Sequence, residues 1–346
     1  MKKQIRLNLN ENNLMYNQQH MHHKYNHKEM CYYSSKNCLR IINDISNYYG
    51  VNKEYVFSFN GLDESILVLS LFCALHKKGT IFTTENTYNT INYSAELLSL
   101  DLLSLPLLKN QINIHSVCEY ILKHIDNGGC VSMIYICNPH NPTGSLFDGD
   151  INELLVLAKS YNFLVFIDEA YAEYNSSIYS QDVSVRVQNS QIVIGRTFSK
   201  LYGLAGLRIG YIITSNPRLR KWLGEYNKTL LYKENRHSAN VVHSILSTKK
   251  WVEKIRNKTS KLKENLIIVL LKYDIEYFDS STNFILIRPV CKSKLLVEYA
   301  RDCFNIDLMD ASEFGWPGYV RITVGTKRSI QLIEKLFKKL RQEGLL

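Results

Sequence analysis

Short apolar runs rich in β-branched and aromatic residues recur along the chain: GTIFTT from Gly79, CVSMIYIC from Cys130, FLVFIDEAY from Phe163, QIVIGRTF from Gln191 and LRIGYIIT from Leu207. Each has the length and composition of a buried strand. Segments of helical period separate them. Between Asp150 and Asn162, for instance, Ile151, Leu154, Leu155 and Ala158 fall on one face. Strand, helix, strand in this order calls for crossover connections and predicts an α/β fold whose central sheet is mostly parallel, with helices on both faces.

Beyond about Asn235 the texture changes. A long Lys-rich stretch of helical period leads to IEYFDSSTNFILIRP, a further helix and YVRITVGT, after which Thr326 is placed to cap a last helix with apolar positions Ile330, Ile333, Leu336, Phe337 and Leu340. The division expected from these patterns is an N-terminal segment, 1–45, that joins the small domain, a large domain over 46–240 and a smaller α+β domain over 241–346.

Composition narrows the class. With 346 residues, 45% hydrophobic and 21% charged, the chain can bury a large core without staples. The eight cysteines show no C-x-x-C pair or zinc spacing, so reduced and mostly buried thiols are expected, with no metal site. The His20, His22, His23 and His27 group lies in an Asn/Lys/Tyr-rich stretch and reads as a loop. The formal charge of +10 is spread along the chain, which argues against a nucleic-acid partner. No apolar stretch reaches the ~20 residues of a membrane span, and the start lacks the apolar run of a secretory signal, so a cytoplasmic protein is expected.

The candidate chemistry gathers at the carboxyl ends of the expected strands, where open α/β sheets bind ligands. NGLDES, Asn60 to Ser65, is a tight turn opening an apolar helix from Ile66, and free N–H groups there make an anion site to which Ser65 can add a hydroxyl. CNPHNPTG carries two Asn-Pro steps that break regular structure and leave Asn138 and Asn141 to face a cleft. In FIDEAY an apolar strand ends on Asp168, Glu169 and Tyr171; an acid so placed is desolvated and needs a cation, which a ligand can supply. RTFSK places Lys200 at a strand end beside two hydroxyls, with Arg208 eight residues on. Alone, such a lysine reads equally well as a surface residue of a loop.

Taken together, NPHNPTG, DEAY and RTFSKLYGLAGLRIGY resemble the fold-type I aminotransferases that use pyridoxal 5′-phosphate. The NGLDES turn, Asn10-Glu11-Asn12 and VRITVGT are most similar to the histidinol-phosphate aminotransferase branch. The resemblance implies the following roles. Lys200 forms a Schiff base with the cofactor and moves the proton. Asp168 pairs with the ring nitrogen, Asn141 and Tyr171 bond the ring's phenolate oxygen, and Tyr88 stacks on the ring. Leu62, Asp63, Thr197, Ser199 and Arg208 surround the phosphate, which Tyr33 reaches from the second subunit of a homodimer. Arg321 grips the substrate's anionic group. An amino donor and a 2-oxo acid acceptor would be the small-molecule partners, in a biosynthetic role. A threonine-phosphate decarboxylase-like lyase is the alternative on the same scaffold. One departure concerns specificity: the branch usually carries a second arginine where this chain has Met309.

Overall fold

The computed structural model describes residues 4–15, 31, 40–76, 79–179, 181–229, 235–247 and 249–346. Thirteen strands are present among them: β1 (Ile5–Arg6), β2 (Val56–Asn60), β3 (Thr80–Thr84), β4 (Leu102–Leu105), β5 (Val131–Cys137), β6 (Leu164–Asp168), β7 (Ile192–Thr197), β8 (Ile209–Ile213), β9 (Glu276–Tyr277), β10 (Phe284–Arg288), β11 (Ile306–Asp307), β12 (Met309–Asp310) and β13 (Val320–Thr323). All five expected strands form. Of these, β5, β6 and β7 lie side by side.

Seven strands build the large sheet in the order β2-β8-β7-β6-β5-β3-β4. Only β8 runs against the others. The link from β7 to β8 is too short to hold a crossover helix, so the chain must return antiparallel. The two faces of the sheet can be read from the alternation along its middle strands. Ile134, Ile136, Val165, Ile167, Ile192 and Ile194 enter one core with the helices Ile114–Asp126 and Ile151–Tyr161. Met133, Tyr135, Leu164, Phe166 and Val193 enter another with the helix Leu62–His76. Both faces are dry, as expected for parallel strands covered by helices.

Helix boundaries follow the capping chemistry. Asp150 accepts from the Asn152 amide at the start of Ile151–Tyr161, and Asn162, left-handed at φ 55°, ends it. Thr326 accepts from the Ser329 amide, and the five apolar positions of the last helix are all buried. The helix expected from Ile66 begins earlier, at Leu62.

A four-stranded antiparallel sheet, β12-β13-β10-β9, carries the C-terminal part. Its core includes Ile285, Ile287, Val320 and Ile322 together with Leu7, and β1 pairs with β11 in parallel through Ile5 and Ile306. The helix Lys249–Lys272 contributes Trp251, Val252 and Ile255 to the large core and Leu262, Leu266 and Leu270 to the small one.

The cysteine expectation needs correction. Among the described residues Cys73, Cys118 and Cys137 are buried, but Cys31, Cys130 and Cys303 are exposed and Cys291 is intermediate. The His20 to His27 group, Cys38 and Tyr33 lie outside the described residues. No helix among the described residues is long and apolar enough to cross a membrane.

Candidate active site

A cavity opens at the carboxyl ends of β5, β6 and β7, beside the start of the helix Leu62–His76. It is lined by Leu62, Asp63, Tyr88, Cys137, Asn141, Asp168, Ala170, Tyr171, Thr197, Ser199, Lys200 and Arg208. The parallel register delivers most of these side chains: β5 and β6 end together, with Cys137 opposite Asp168, and Asp168 lies opposite Gly195 of β7.

The two acids of FIDEAY part company here. Glu169 is buried among protein cations: Arg196 donates to its Oε2 through Nε at 2.9 Å and Nη2 at 2.8 Å, and Arg186 lies 2.6 Å from Oε1. Burial alone would raise its pKa, but the two arginines outweigh that and hold it below the usual value. Asp168 is equally buried, yet its hydrogen bonds come from neutral donors, the Tyr135 hydroxyl at 2.6 Å and the Ala170 amide at 3.0 Å. Desolvation therefore pushes its carboxyl up to about 6. A cation inserted beside it would reverse that shift.

Lys200, three residues beyond the end of β7, is half-buried and lines the cavity. Its Nζ donates to the Leu9 carbonyl at 3.1 Å and stands 5.5 Å from the Tyr171 ring centre. Burial, followed by the nearby Arg321 charge, lowers its pKa to about 8. An appreciable fraction is then the free amine near neutral pH, the form that attacks a carbonyl.

At the other end of the cavity Asp63 is shared. The Tyr88 hydroxyl donates to its Oδ1 at 2.8 Å, and Arg208 Nη2 approaches Oδ2 at 2.9 Å. Arg208 lies across Gly61, where any Cβ would collide with the guanidinium, and a Cβ on Gly210 would strike the Gly61–Leu62 backbone. These glycines let the strand ends close on the helix start, whose first N–H groups have no intrahelical acceptor. The Thr197 hydroxyl is 3.0 Å from that of Ser199.

Arg321 on β13 is buried just outside this cavity. Its Nη1 donates to Asn141 Oδ1 at 2.6 Å and its Nη2 to the Asn8 carbonyl at 2.6 Å. The rings of Phe284 and Phe314 flank it at 5.3 and 5.0 Å. Because Asn141 accepts with its oxygen, its amide nitrogen remains a donor.

Two expectations fail. Asn138 does not face the cleft: its Oδ1 accepts from the Phe147 amide and staples the loop. Ser65 turns its hydroxyl back to the Leu62 carbonyl, at 2.6 Å, and is fully buried. Conversely, Tyr135, Cys137, Ala170 and the backbone of Asn8 and Leu9 were not anticipated. Tyr135 carried one signal, a polar tip in the apolar run Met133–Cys137, but its partner depends on a register that periodicity does not reveal. Among the described residues no three His, Cys, Asp or Glu side chains come together as a metal site.

The model of the family described as aminotransferase class I and II matches residues 1–340. A histidinol-phosphate aminotransferase of Staphylococcus aureus (strain bovine RF122 / ET3-1) is 28% identical over 303 residues, covering 86% of this chain and 80% of its own. The solved histidinol-phosphate aminotransferase of Clostridium acetobutylicum superposes with a TM-score of 0.84 at 21% identity, over 98% of this chain and 99% of that one. The one from Sinorhizobium meliloti, solved in complex with pyridoxal 5′-phosphate, gives 0.80 at 16% identity, over 97% and 91%. At such identities the two structural likenesses speak for the fold.

Proposed function

Because this chain belongs to the class I and II aminotransferases, we propose that its cavity holds pyridoxal 5′-phosphate and serves transfer of an amino group from an amino acid or a histidinol-phosphate-like amino-alcohol phosphate to a 2-oxo acid. The chain is an aminotransferase of fold type I. The observation that carries the cofactor assignment is the pairing of a buried acid hydrogen-bonded by neutral donors, Asp168, with a half-buried lysine of lowered pKa on one small cavity. A pyridinium nitrogen and an aldehyde fit those two groups.

When bound, the cofactor supplies a carbonyl that takes up the amino group and a ring that accepts electrons from the substrate's Cα. Asp168, fixed by Tyr135 and the Ala170 amide, keeps a proton on the ring nitrogen. Lys200 would hold the cofactor at its aldehyde carbon and would hold and move the proton at Cα. Tyr171 and the amide nitrogen of Asn141 would hydrogen-bond the ring's phenolic oxygen, and Tyr88 would hold the ring by stacking. Arg208, Thr197, Ser199 and the Leu62–Asp63 amides bind the phosphate, since a planar guanidinium and a helix start both suit such an anion. Arg321 orients the substrate through its anionic group.

Substrate choice turns on one pairing. Met309 lies opposite Arg321 in the register of β12 and β13, so the two side chains leave the same face of the small sheet. A thioether in place of a second cation favours a carboxylate or a singly held phosphate over a tightly clamped dianion. We also assign Tyr33 to a partner subunit's phosphate site in a homodimer, in a cytoplasmic setting. Incubating the purified protein with histidinol phosphate, amino acids and threonine phosphate, while following 2-oxo product and carbon dioxide, tests the assignment. Carbon dioxide release without 2-oxo product would favour the decarboxylase.

A further inference from the structure

Asn10 ties the N-terminal segment to both halves of the active site. It is 1% exposed and left-handed at φ 55°, a conformation Asn tolerates. Its backbone amide donates to Thr323 Oγ1 at 3.0 Å, the Thr323 hydroxyl lies 3.1 Å from Asn10 Oδ1, and Asn10 Nδ2 donates to the Tyr171 hydroxyl oxygen at 2.9 Å. Asn283 Nδ2 completes the set by donating to the Asn10 carbonyl at 3.1 Å.

Counting hydrogens settles the direction of these bonds. Thr323 Oγ1 has one hydrogen and already accepts the Asn10 amide. Its hydrogen reaches an acceptor at Asn10 Oδ1. Turning the Asn10 amide over would replace that acceptor with a donor and strand the Thr323 hydrogen at a site 1% exposed. Nδ2 therefore faces Tyr171, whose oxygen accepts. The single hydrogen of Tyr171 is then left to point elsewhere, and Tyr171 lines the cavity beside Lys200.

We propose that Asn10 is a positioning residue that fixes Tyr171 as a hydrogen-bond donor toward the cofactor's phenolic oxygen, and that Thr323, two residues beyond Arg321 on β13, sets the orientation of Asn10. The inference rests on the assignment of Lys200 and Tyr171 made above. It joins the substrate-gripping strand to the tyrosine that tunes the cofactor through one side chain more than 150 residues from either. A donor to the phenolic oxygen stabilises its ionised form, so it lowers the pKa of the lysine-bound cofactor chromophore.

The test is an absorbance titration of that chromophore in the holoenzyme. Tyr171→Phe should raise the midpoint by about one pH unit, the scale of one hydrogen bond to a charged group. Asn10→Asp, an acceptor in place of the donor, should capture the Tyr171 hydrogen and raise the midpoint by a similar amount. In the Tyr171→Phe background the same Asn10→Asp change should add little, because no hydrogen remains to redirect. If Asn10→Asp shifts the midpoint equally with and without the Tyr171 hydroxyl, its charge alone acts and the proposal is overturned. An unchanged midpoint in Asn10→Asp overturns it as well. If Tyr171→Phe itself leaves the midpoint in place, the fault lies with the underlying assignment of Tyr171. Should Asn10→Asp fail to fold, Thr323→Val provides the same cycle without a new charge: it frees the Asn10 amide to turn and should raise the midpoint only while Tyr171 is present.

Discussion

Met309 and Arg321 are cross-strand partners, and no second cation accompanies Arg321 at that position of the small sheet. Both guanidinium ends of Arg321 are already engaged, by Asn141 and by the Asn8 carbonyl, and two aromatic rings fix its plane. Desolvation lowers its pKa without depriving it of charge in the usual range. It is a rigid, single anchor. Arg321→Gln should raise KM for every natural donor, with kcat/KM falling about 10- to 100-fold for the loss of a charge-assisted hydrogen bond. Met309→Arg should shift preference toward histidinol phosphate over a plain amino acid. Steady-state kinetics with both donors reads the two effects, and no change in either variant would show that Arg321 does not meet substrate.

Borohydride reduction of the loaded protein should fix the cofactor to Lys200, as located by peptide mass spectrometry. Lys200→Ala should be inactive. Asp168→Asn should retain cofactor but lose most of kcat, because an amide does not hold the ring nitrogen as a cation.

The raised pKa of Asp168 has a thermodynamic consequence. Between the ordinary value of 3.8 and the folded value of about 6, the folded cofactor-free protein holds a proton that the unfolded chain has lost. Stability contributed by this group is therefore present below pH 4 and declines as pH rises through 6. The melting temperature of the cofactor-free protein should show this decline, and Asp168→Asn should remove it. Cofactor should offset the decline by pairing the carboxylate, in addition to stabilising by mass action.

Glu169 is predicted to matter for stability rather than chemistry. Glu169→Gln removes the carboxylate that pairs with the fully buried Arg196 and with Arg186, which should cost about 3 kcal/mol in denaturant unfolding. Cofactor remaining on the folded fraction should keep its absorbance spectrum.

If Tyr33 serves a partner's phosphate site, mixing inactive Lys200→Ala subunits with impaired Tyr33→Phe subunits should recover activity. One of the two sites in each hybrid then holds both native residues. A mixture no more active than its components would remove the shared-site assignment.

Much of the site was legible in the sequence because its parts are local. Asp168, Lys200, Asn141 and Arg208 stand at the ends of apolar runs or in the loops that follow, and a parallel sheet brings such ends to one edge whatever the details of packing. Helix limits were legible for the same reason: Asp150 and Thr326 cap with atoms two or three residues away. Register and cross-chain partners were decided by tertiary structure. Periodicity gave Asp168 and Glu169 equal standing, and only the approach of Arg186 and Arg196 to one of them made it structural while Tyr135 took the other. Asn10 meets Tyr171 and Thr323 through chain separations of 161 and 313 residues. A hydrogen bond of that span is set by how two cores pack across a cavity, a three-dimensional condition that no local pattern of polar and apolar residues encodes.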